Sequence, residues 1–361
     1  MIKYIDEYRN RELALKIAQE IKRISTRPVR FMEVCGGHTM AIQKFGIPSL
    51  LPDNITLLSG PGCPVCVTDR KYIDTAIAFA RLDDVIITTY GDLIRVPGSS
   101  SSLDEEKASG RKVRIVYSIL DALDIAEENP DKKVIFLGVG FETTTPSSAV
   151  GILNAEKRGL KNFFLYSSHK LMPPAMTALI DEGVQIDGYI APGHVSTITG
   201  TSIYNDIPKK YKLGCVIAGF EPVDLLQTIH MLVKQMEEQS PRVEIQYKRA
   251  VAAGGNRKAQ KLVEDVFEAC DDWWRGLGVL PLSGLTLRRK FEHMDALKAI
   301  PVKVEKTRED KGCICGKILK GLNTPADCKL YGRVCTPNNP VGACMVSNEG
   351  ACHAWFRYKG F

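Results

Sequence analysis

The stretch VIFLGVGFETTTP, residues 134–146, decides the fold class. Its first six residues, VIFLGV, carry no polar side chain on either face, as is typical of strands that are buried in a parallel sheet. A glutamate, Glu142, comes directly after the apolar run. The stretch therefore predicts a buried strand with a polar side chain at its carboxyl end.

Seven further runs have the same character, and helical patterns separate them. The predicted strands are RFMEV (30–34), ITLLS (55–59), DVIITTY (84–90), VRIVYS (113–118), NFFLYS (162–167), GYIAP (188–192) and GCVIAG (214–219). An amphipathic helix is predicted over residues 8–25, where Leu13, Ile17, Ile21 and Ile24 recur at helical spacing. Strands that alternate with helices indicate βαβ units and therefore an α/β fold.

The chain changes character after about residue 245. A helix is predicted over residues 254–275, and the tail from 313 to 361 holds six of the eleven cysteines with few apolar runs. We expect the tail to be a small domain that a metal stabilises, since its own core would be small. Two motifs, FLGVGFETTTP and CVIAGFEPVD, end a strand in Gly-Phe-Glu, which is compatible with two similar α/β lobes.

Composition narrows the class of protein. The 361 residues are 44% apolar and 25% charged, which suits a globular chain of two or three domains. The net charge of +6 is spread without a basic tract, so nucleic-acid binding is not expected. With no leader-like segment and no apolar run of membrane length, we expect a soluble, cytoplasmic protein that does not bind membranes. In a reducing compartment, eleven cysteines indicate metal or redox chemistry rather than structural disulfides.

Side chains that could carry chemistry follow the predicted strands. They are Cys35, His38, Cys63, Cys66, Glu142, His169, His194 and Glu221. Ligands of open α/β sheets bind beyond the carboxyl ends of the strands. These residues therefore predict a cleft at that edge of the sheet.

In CGGHT (35–39), Cys35 and His38 flank two glycines. The thiolate and the imidazole could converge on one metal ion or form a nucleophile–base pair, and the glycines allow a ligand to approach the backbone. A glycine turn with a buried cysteine is the alternative without chemistry.

In GPGCPVC (60–66), Cys63 and Cys66 form a single Cys-x-x-Cys. Half of a zinc site, a dithiol–disulfide couple and a structural turn are all compatible with it. A second such pair is missing from the sequence, which argues against zinc. A helix predicted to start after Asp69 and to run to about residue 82 places Cys66 near a helix N-terminus, where the dipole lowers a thiol pKa. A redox couple is favoured.

The tail carries four cysteines at wide spacing. Cys313, Cys328, Cys335 and Cys352 are separated by 14, 6 and 16 residues. Four thiolates suit zinc or an iron–sulfur cluster, and the wide gaps favour a [4Fe–4S] cluster. Two cysteines are left over beside the proposed ligands, Cys315 and Cys344. A spare thiol pair beside a cluster suggests electron transfer between cluster and disulfide, with inert thiols as the alternative.

Taken in order, the motifs make the chain resemble the HypD family of hydrogenase maturation proteins. They are CGGHT, GPGCPVC, TTYGDLIRVPGS, GFETTTP, APGHVS, AGFEPVD and the cysteine spacing of the tail. The resemblance implies two similar parallel-sheet α/β domains that face a cleft, with a third domain that carries a [4Fe–4S] cluster. We accordingly expect residues 1–130 and 131–245 to form the α/β domains and residues 246–361 the helical and cysteine-rich domain.

The resemblance also implies a function. The family acts in building the Fe(CN)2CO part of the [NiFe]-hydrogenase centre. A small chaperone, HypC, shares the transient iron, and HypE delivers cyanide from a thiocyanate on its C-terminus. The chain is expected to be a monomer on its own and to act only in complex with these partners.

The resemblance also implies roles for individual residues, which are assigned here by the motif in which each residue lies. Cys35 is the expected ligand of the transient iron, and Cys63 with Cys66 is the thiol couple of the cleft. The cluster ligands are expected to be Cys313, Cys328, Cys335 and Cys352. Beside the cluster, Cys315 and Cys344 would form a second couple. Polar assistance is expected from His38, His194 and Glu349.

The implied chemistry explains why thiol pairs accompany a cluster. Reductive cleavage of the S–C bond of a thiocyanate takes two electrons, whereas one [4Fe–4S] cluster normally transfers one electron at a time. A dithiol, in contrast, stores two electrons. The alternatives are a general cluster-dependent thiol–disulfide oxidoreductase, which has no need of Cys35, and a zinc-stabilised binding scaffold without redox function.

Overall fold

The computed structural model of the chain describes residue 3 and residues 5–359. Strands and helices alternate along this part of the chain, as the sequence predicts. The strands are β1 (Val29–Glu33), β2 (Ile55–Ser59), β3 (Val85–Thr89), β4 (Val113–Ile115), β5 (Lys133–Gly140), β6 (Phe163–Lys170), β7 (Gly188–Pro192), β8 (Gly214–Ala218), β9 (Val243–Ile245), β10 (Phe267–Trp274) and β11 (Gly278–Leu287). All eight strands predicted from the sequence are therefore confirmed.

Helices connect most of the strands. They are α1 (Arg11–Ile24), α2 (Gly36–Lys44), α3 (Pro64–Val67), α4 (Arg70–Ala80), α5 (Leu103–Ala108), α6 (Ile119–Glu128), α7 (Thr145–Arg158), α8 (Met172–Asp181), α9 (Gly193–Thr199), α10 (Asp206–Tyr211), α11 (Pro222–Glu237), α12 (Arg257–Val266), α13 (Ala296–Ala299), α14 (Cys315–Leu319), α15 (Ala343–Val346) and α16 (Ala351–Tyr358). Short 3-10 turns cover Asp6–Arg9, Ile47–Leu50, Gly91–Leu93, Ser202–Tyr204, Arg289–Met294 and Pro325–Asp327. Within the described residues, no helix combines the length and the apolar character that crossing a bilayer requires.

The strands form two sheets. The first sheet has the order β2-β1-β7-β8-β9 and is parallel throughout. The second has the order β10-β11-β6-β5-β3-β4, in which β6, β5, β3 and β4 run parallel while β10 and β11 are antiparallel to their neighbours. Two parallel-dominated sheets confirm the predicted α/β class.

The chain passes between the sheets more than once. It leaves the first sheet after β2, builds β3 to β6 of the second, returns for β7 to β9, and leaves again for β10 and β11. Residues 1–130 and residues 131–245 therefore each contribute strands to both sheets. This interleaving places the carboxyl ends of β1 and β2 beside those of β7 and β8, although more than a hundred residues separate the two pairs.

The helix predicted over residues 254–275 is wrong beyond residue 266. Helix α12 ends at Val266, and residues 267–274 instead form β10, which pairs with β11 from Phe267 opposite Leu287 to Trp274 opposite Gly278. The side chains of Phe267 and Trp274 are buried. Pairing with an adjacent strand and burial of these two aromatic rings outweigh the local helical pattern.

One continuous core joins both sheets and the tail. It includes Met32 from the first sheet, Ile135 and Leu137 from the second, and Ile318 and Met345 from the tail. The tail is thus packed on the α/β body and shares its core. Apolar burial therefore contributes to holding the tail against the sheets, and hydrogen bonds such as that of Lys320 to Glu182 add to it.

Replacement of Leu137 by alanine should destabilise the whole molecule, because its side chain is fully buried in β5 at the centre of this core. We expect a loss of about 2–5 kcal/mol in the free energy of unfolding, measured by chemical denaturation. Ile115→Ala on the edge strand β4 is the control, since that side chain is 43% exposed, and its effect should stay near 0.5 kcal/mol. An equal loss in both variants would show that β5 is not the centre of the core.

Candidate functional site: the cysteine cleft of the first sheet

Four neighbouring segments meet at the carboxyl edge of the first sheet. Cys35 follows β1, Cys63 and Cys66 follow β2, His194 follows β7 and Phe220 follows β8. The four strands are adjacent in the order β2-β1-β7-β8. The strand-end residues of this sheet therefore come together at one edge, and we call this place the cysteine cleft.

The segments of Cys35 and Cys63 lie in direct backbone contact. The amide of Gly36 donates to the carbonyl of Gly62 over 2.8 Å, and the amide of Gly60 donates to the carbonyl of Glu33 over 2.8 Å. A Cβ atom at residue 62 would overlap the backbone of Cys35. Glycine is thus required at position 62, because no side chain fits between the two loops.

Cys63 and Cys66 are joined in a disulfide, with their Cα atoms 5.2 Å apart. Cys63 is the N-cap of the short helix α3, and its Sγ atom accepts from the amide of Cys66 over 3.2 Å. The pair is almost fully buried, with 3% of Cys63 and none of Cys66 exposed. Helix α4 then begins after its N-cap Asp69, as predicted.

The tail covers the cysteine cleft from the other side. Glu349 packs on Gly36 so closely that a Cβ atom at residue 36 would overlap its side chain. The carbonyl oxygen of Ala343 lies 4.0 Å from the Sγ atom of Cys66. The predicted assistant Glu349 is therefore at the cleft, and Cys344 directly follows the residue that contacts the disulfide.

The two predicted histidines sandwich one phenylalanine. The ring of Phe220 stacks on His38 at 4.6 Å between centroids and on His194 at 3.9 Å. The Nε2 atom of His38 lies 3.2 Å from the carbonyl oxygen of Ala218, which fixes the tautomer with the proton on Nε2. The buried Nδ1 atom then carries a lone pair that has no hydrogen-bond partner in the structure. His38 thus presents one free acceptor inside the site.

Burial determines the protonation of the cleft. It raises the pKa of Cys35 to about 12, with the nearby carboxyl of Glu349 adding to the effect. It lowers the pKa of His38 to about 4. Partial burial also lowers the pKa of His194, and burial raises that of Glu349. At neutral pH, Cys35 is therefore a thiol and His38 a neutral imidazole, so the two do not form a thiolate–imidazolium pair.

Glu33, which none of the motifs singles out, is also a member of the site. Its carboxylate accepts from the amide of Cys35 over 3.0 Å and from the hydroxyl of Thr39 over 2.6 Å, and burial raises its pKa to about 8. The signal was present, because a glutamate inside the apolar strand RFMEV has to be buried. Phe220 was not singled out either, although it lies in the quoted motif AGFEPVD.

The tail brings five cysteines to one cavity. Cys313, Cys315, Cys328, Cys335 and Cys352 line it together with apolar residues that include Leu330 and Met345. Hydrogen bonds with the thiol of Cys315 raise the pKa values of Cys313 and Cys352. Cys315 therefore lies between two of the proposed cluster ligands. Cys344 is fully buried and is close enough to Cys352 to raise its pKa as well.

The chemistry of these donors fits an iron–sulfur cluster. Several cysteine sulfurs in an apolar enclosure are the soft ligand set that such clusters take, and zinc would accept the same donors. As the atoms stand in the described chain, no three His, Cys, Asp or Glu side chains form a group that could hold a metal ion. The cluster ligands thus remain a prediction that rests on the donor set and on their common cavity.

Two other strand-end residues lie outside the cysteine cleft. Glu142 follows β5 in the second sheet, where its Oε1 atom accepts from the amide of Met172 over 2.9 Å. His169 lies within β6, and its ring nitrogens contact the hydroxyls of Ser148 and Ser167 at 2.9 and 3.0 Å. Both hold local structure, so the strand ends of the two sheets do not form one cluster.

The whole chain matches proteins of one family. The family model described as HypD, hydrogenase formation hypA family, matches residues 10–359. The chain is 48% identical over 369 residues to the hydrogenase maturation factor HypD of Azotobacter vinelandii, covering 99% of this chain and 97% of that protein. It is 43% identical over 369 residues to the protein of the same name from Escherichia coli (strain K12), covering 99% and 98%.

A third relative is the hydrogenase maturation factor HypD2 of Bradyrhizobium diazoefficiens, which is 47% identical over 371 residues, covering 100% of this chain and 98% of that protein. The ordered motifs of the cysteine cleft and of the tail thus occur in a chain that matches these relatives from end to end. The chain belongs to the HypD family.

Proposed function

We propose that this protein is a hydrogenase maturation factor on which the Fe(CN)2CO group is assembled, with the iron bound at Cys35. The observation that carries the proposal is the convergence on Cys35 of the CGGHT loop, the GPGC loop and Glu349. The names of the relatives supply the pathway. The geometry around Cys35 supports this residue as the iron ligand.

The protonation of the cleft suits a cationic substrate. Cys35 has a pKa of about 12 because burial and a neighbouring carboxyl disfavour its thiolate. An iron ion brings the positive charge that the cleft lacks, so its binding would release the thiol proton. The resulting thiolate is a soft donor that suits iron with cyanide and carbon monoxide ligands. The lone pair on Nδ1 of His38 would be available to accept a hydrogen bond there.

The buried disulfide is suited to internal electron transfer. An enzyme that reduces disulfides of other proteins needs an exposed thiol for attack. Here Cys66 has no exposed surface and contacts the tail through Ala343. Such a pair would exchange two electrons with the tail and the cleft. This argues against a general thiol–disulfide oxidoreductase.

The partners follow from the same chemistry. A HypC-type chaperone would supply a second ligand to the iron, and a HypE-type protein would donate cyanide from its thiocyanate. Cleavage of that S–C bond takes two electrons, and the Cys63–Cys66 dithiol can supply them as it closes to the disulfide. A [4Fe–4S] cluster held by Cys313, Cys328, Cys335 and Cys352 would supply single electrons to reopen the disulfide, with Cys315 and Cys344 as a second couple beside it. We also propose that the protein is cytoplasmic and monomeric when alone.

Replacement of Cys328 by alanine should remove the cluster, because one of its four thiolates is lost. We expect iron and acid-labile sulfide, measured after anaerobic purification, to fall to a small fraction of the wild-type content. The tail should also become more sensitive to protease, since metal binding supplies folding energy. Cys270→Ala on β10 is the control, and it should keep the full content. Full iron and sulfide in the Cys328 variant would refute the ligand assignment.

Replacement of Cys35 by serine should remove the iron of the nascent group and leave the tail cluster in place. Serine keeps the size of the side chain but lacks the soft sulfur donor. We expect the cyanide and carbon monoxide infrared bands of the complex with a HypC-type partner to disappear, while the iron and sulfide of the tail remain at wild-type levels. Wild-type bands in the Cys35 variant would place the iron elsewhere.

A further inference from the structure

The turn between β10 and β11 lies between the cleft disulfide and the cysteines of the tail. Arg275 lies in this turn. It donates three hydrogen bonds to backbone carbonyls at the carboxyl end of helix α3. Its amide donates to Val67 over 2.9 Å, its Nε atom to Cys66 over 3.0 Å and its Nη2 atom to Thr68 over 2.9 Å. Arg275 itself is 7% exposed.

These bonds matter because α3 has only four residues. The last carbonyls of any helix lack partners within it, and in so short a helix they include that of Cys66. Buried carbonyls without donors would favour another backbone conformation. A guanidinium bridges two carbonyls with donors on different nitrogens in a rigid planar fork, whereas the three donors of a lysine ammonium radiate from one nitrogen at the end of a flexible stem and cannot reproduce that geometry. Arg275 thus stabilises the backbone conformation at Cys66 and the two residues that follow it.

The same turn contacts the tail beside a second cysteine. The next residue, Gly276, has φ of +87° and packs against Gly316, where a Cβ atom would come within 2.6 Å of the carbonyl oxygen. Gly316 directly follows Cys315. On its outer side, the guanidinium of Arg275 pairs with Glu309 at 3.4 Å. One turn therefore contacts the segments of both cysteine sites.

We propose that Arg275 is a positioning residue for the Cys63–Cys66 couple: its forked hydrogen bonds hold the two sulfurs at bonding distance and so favour the disulfide. The inference rests on the proposed function in one respect, namely that this pair is redox-active. The inference adds to that function the residue that sets the equilibrium between the Cys63–Cys66 disulfide and the dithiol.

Geometry outweighs charge in this arrangement. A positive charge near the sulfurs would stabilise thiolates and so favour the reduced pair. The carboxylate of Glu309 opposes that charge, however, and leaves the hydrogen bonds as the main contribution. Loss of the fork should therefore shift the couple toward the dithiol. A lysine at this position, which keeps the charge but lacks the fork, should not restore the wild-type equilibrium.

The chain offers a matched control in Arg70. It is also buried, with 6% exposed, and also pairs with Glu309, at 3.8 Å. It donates to the carbonyl of Arg308, which precedes the tail, and to the carbonyl of Val341 in the tail. Arg70 thus shares the burial and the ion-pair partner of Arg275, but not the bonds to α3.

The test is a redox titration of Arg275→Gln, Arg275→Lys and Arg70→Gln in the full chain. Each protein is equilibrated anaerobically at one pH with mixtures of reduced and oxidised dithiothreitol. In the exchange, the protein S–S bond breaks as the reagent forms its own, and two electrons and two protons pass to Cys63 and Cys66. Differential alkylation and mass spectrometry of the peptide that carries both cysteines give the fraction reduced. Circular dichroism confirms that each variant is folded.

We expect both Arg275 variants to shift about tenfold toward the dithiol, equivalent to ~30 mV for a two-electron couple, and Arg70→Gln to match the wild type. A wild-type equilibrium in the lysine variant would assign the effect to charge and overturn the proposal. So would equal shifts at positions 70 and 275, or no shift at either. If the glutamine variant does not fold, the lysine variant decides. A wild-type pair that never exchanges would overturn the redox function itself.

Discussion

The backbone contact between the CGGHT and GPGC loops is the constraint on which the rest of the site depends. The amide of Gly36 bonds to the carbonyl of Gly62, and neither residue has room for a Cβ atom. Because the loops touch, Cys35 and the Cys63–Cys66 pair are buried in adjacent loops at the edge of the first sheet. Glu349 of the tail packs over Gly36. The cysteine cleft and the tail, which are far apart in sequence, are therefore neighbours in the structure.

Burial then determines which chemistry is available. A thiol with a pKa of about 12 and an imidazole with a pKa of about 4 are both neutral at physiological pH, so without substrate Cys35 is not a thiolate nucleophile and His38 is not an imidazolium acid. Under the proposed function, reactivity would arrive with the substrate iron and with electrons. The tail would then deliver the electrons through its contacts with the site, since Ala343 contacts Cys66 and the turn of Arg275 contacts both cysteine segments.

The local sequence pattern was sufficient to predict where eight of the strands lie, but it was insufficient to predict how the strands pair into sheets. Each buried strand carries its signal in its own residues, so all eight were predicted. Pairing is non-local, so the return of the chain to place β7 beside β1 could not be read from the sequence. Strand β10 was missed for the same reason, since its partner β11 and the burial of Trp274 stabilise it. Cys35 and Cys63 were identified from motifs, and the position of Glu33 in an apolar strand was a usable signal, whereas no motif shows the bonds of Arg275 to α3.

The position of the iron is the most direct test of this account. Anomalous diffraction at the iron edge, from crystals of the protein in complex with a HypC-type partner and loaded with the cyanide-bearing iron, would locate each metal independently of activity. The account predicts one peak within bonding distance of the Sγ atom of Cys35 and a second, separate peak in the cavity lined by Cys313, Cys328, Cys335 and Cys352. Iron density elsewhere, such as beside His169 in the second sheet, with none at Cys35, would contradict it.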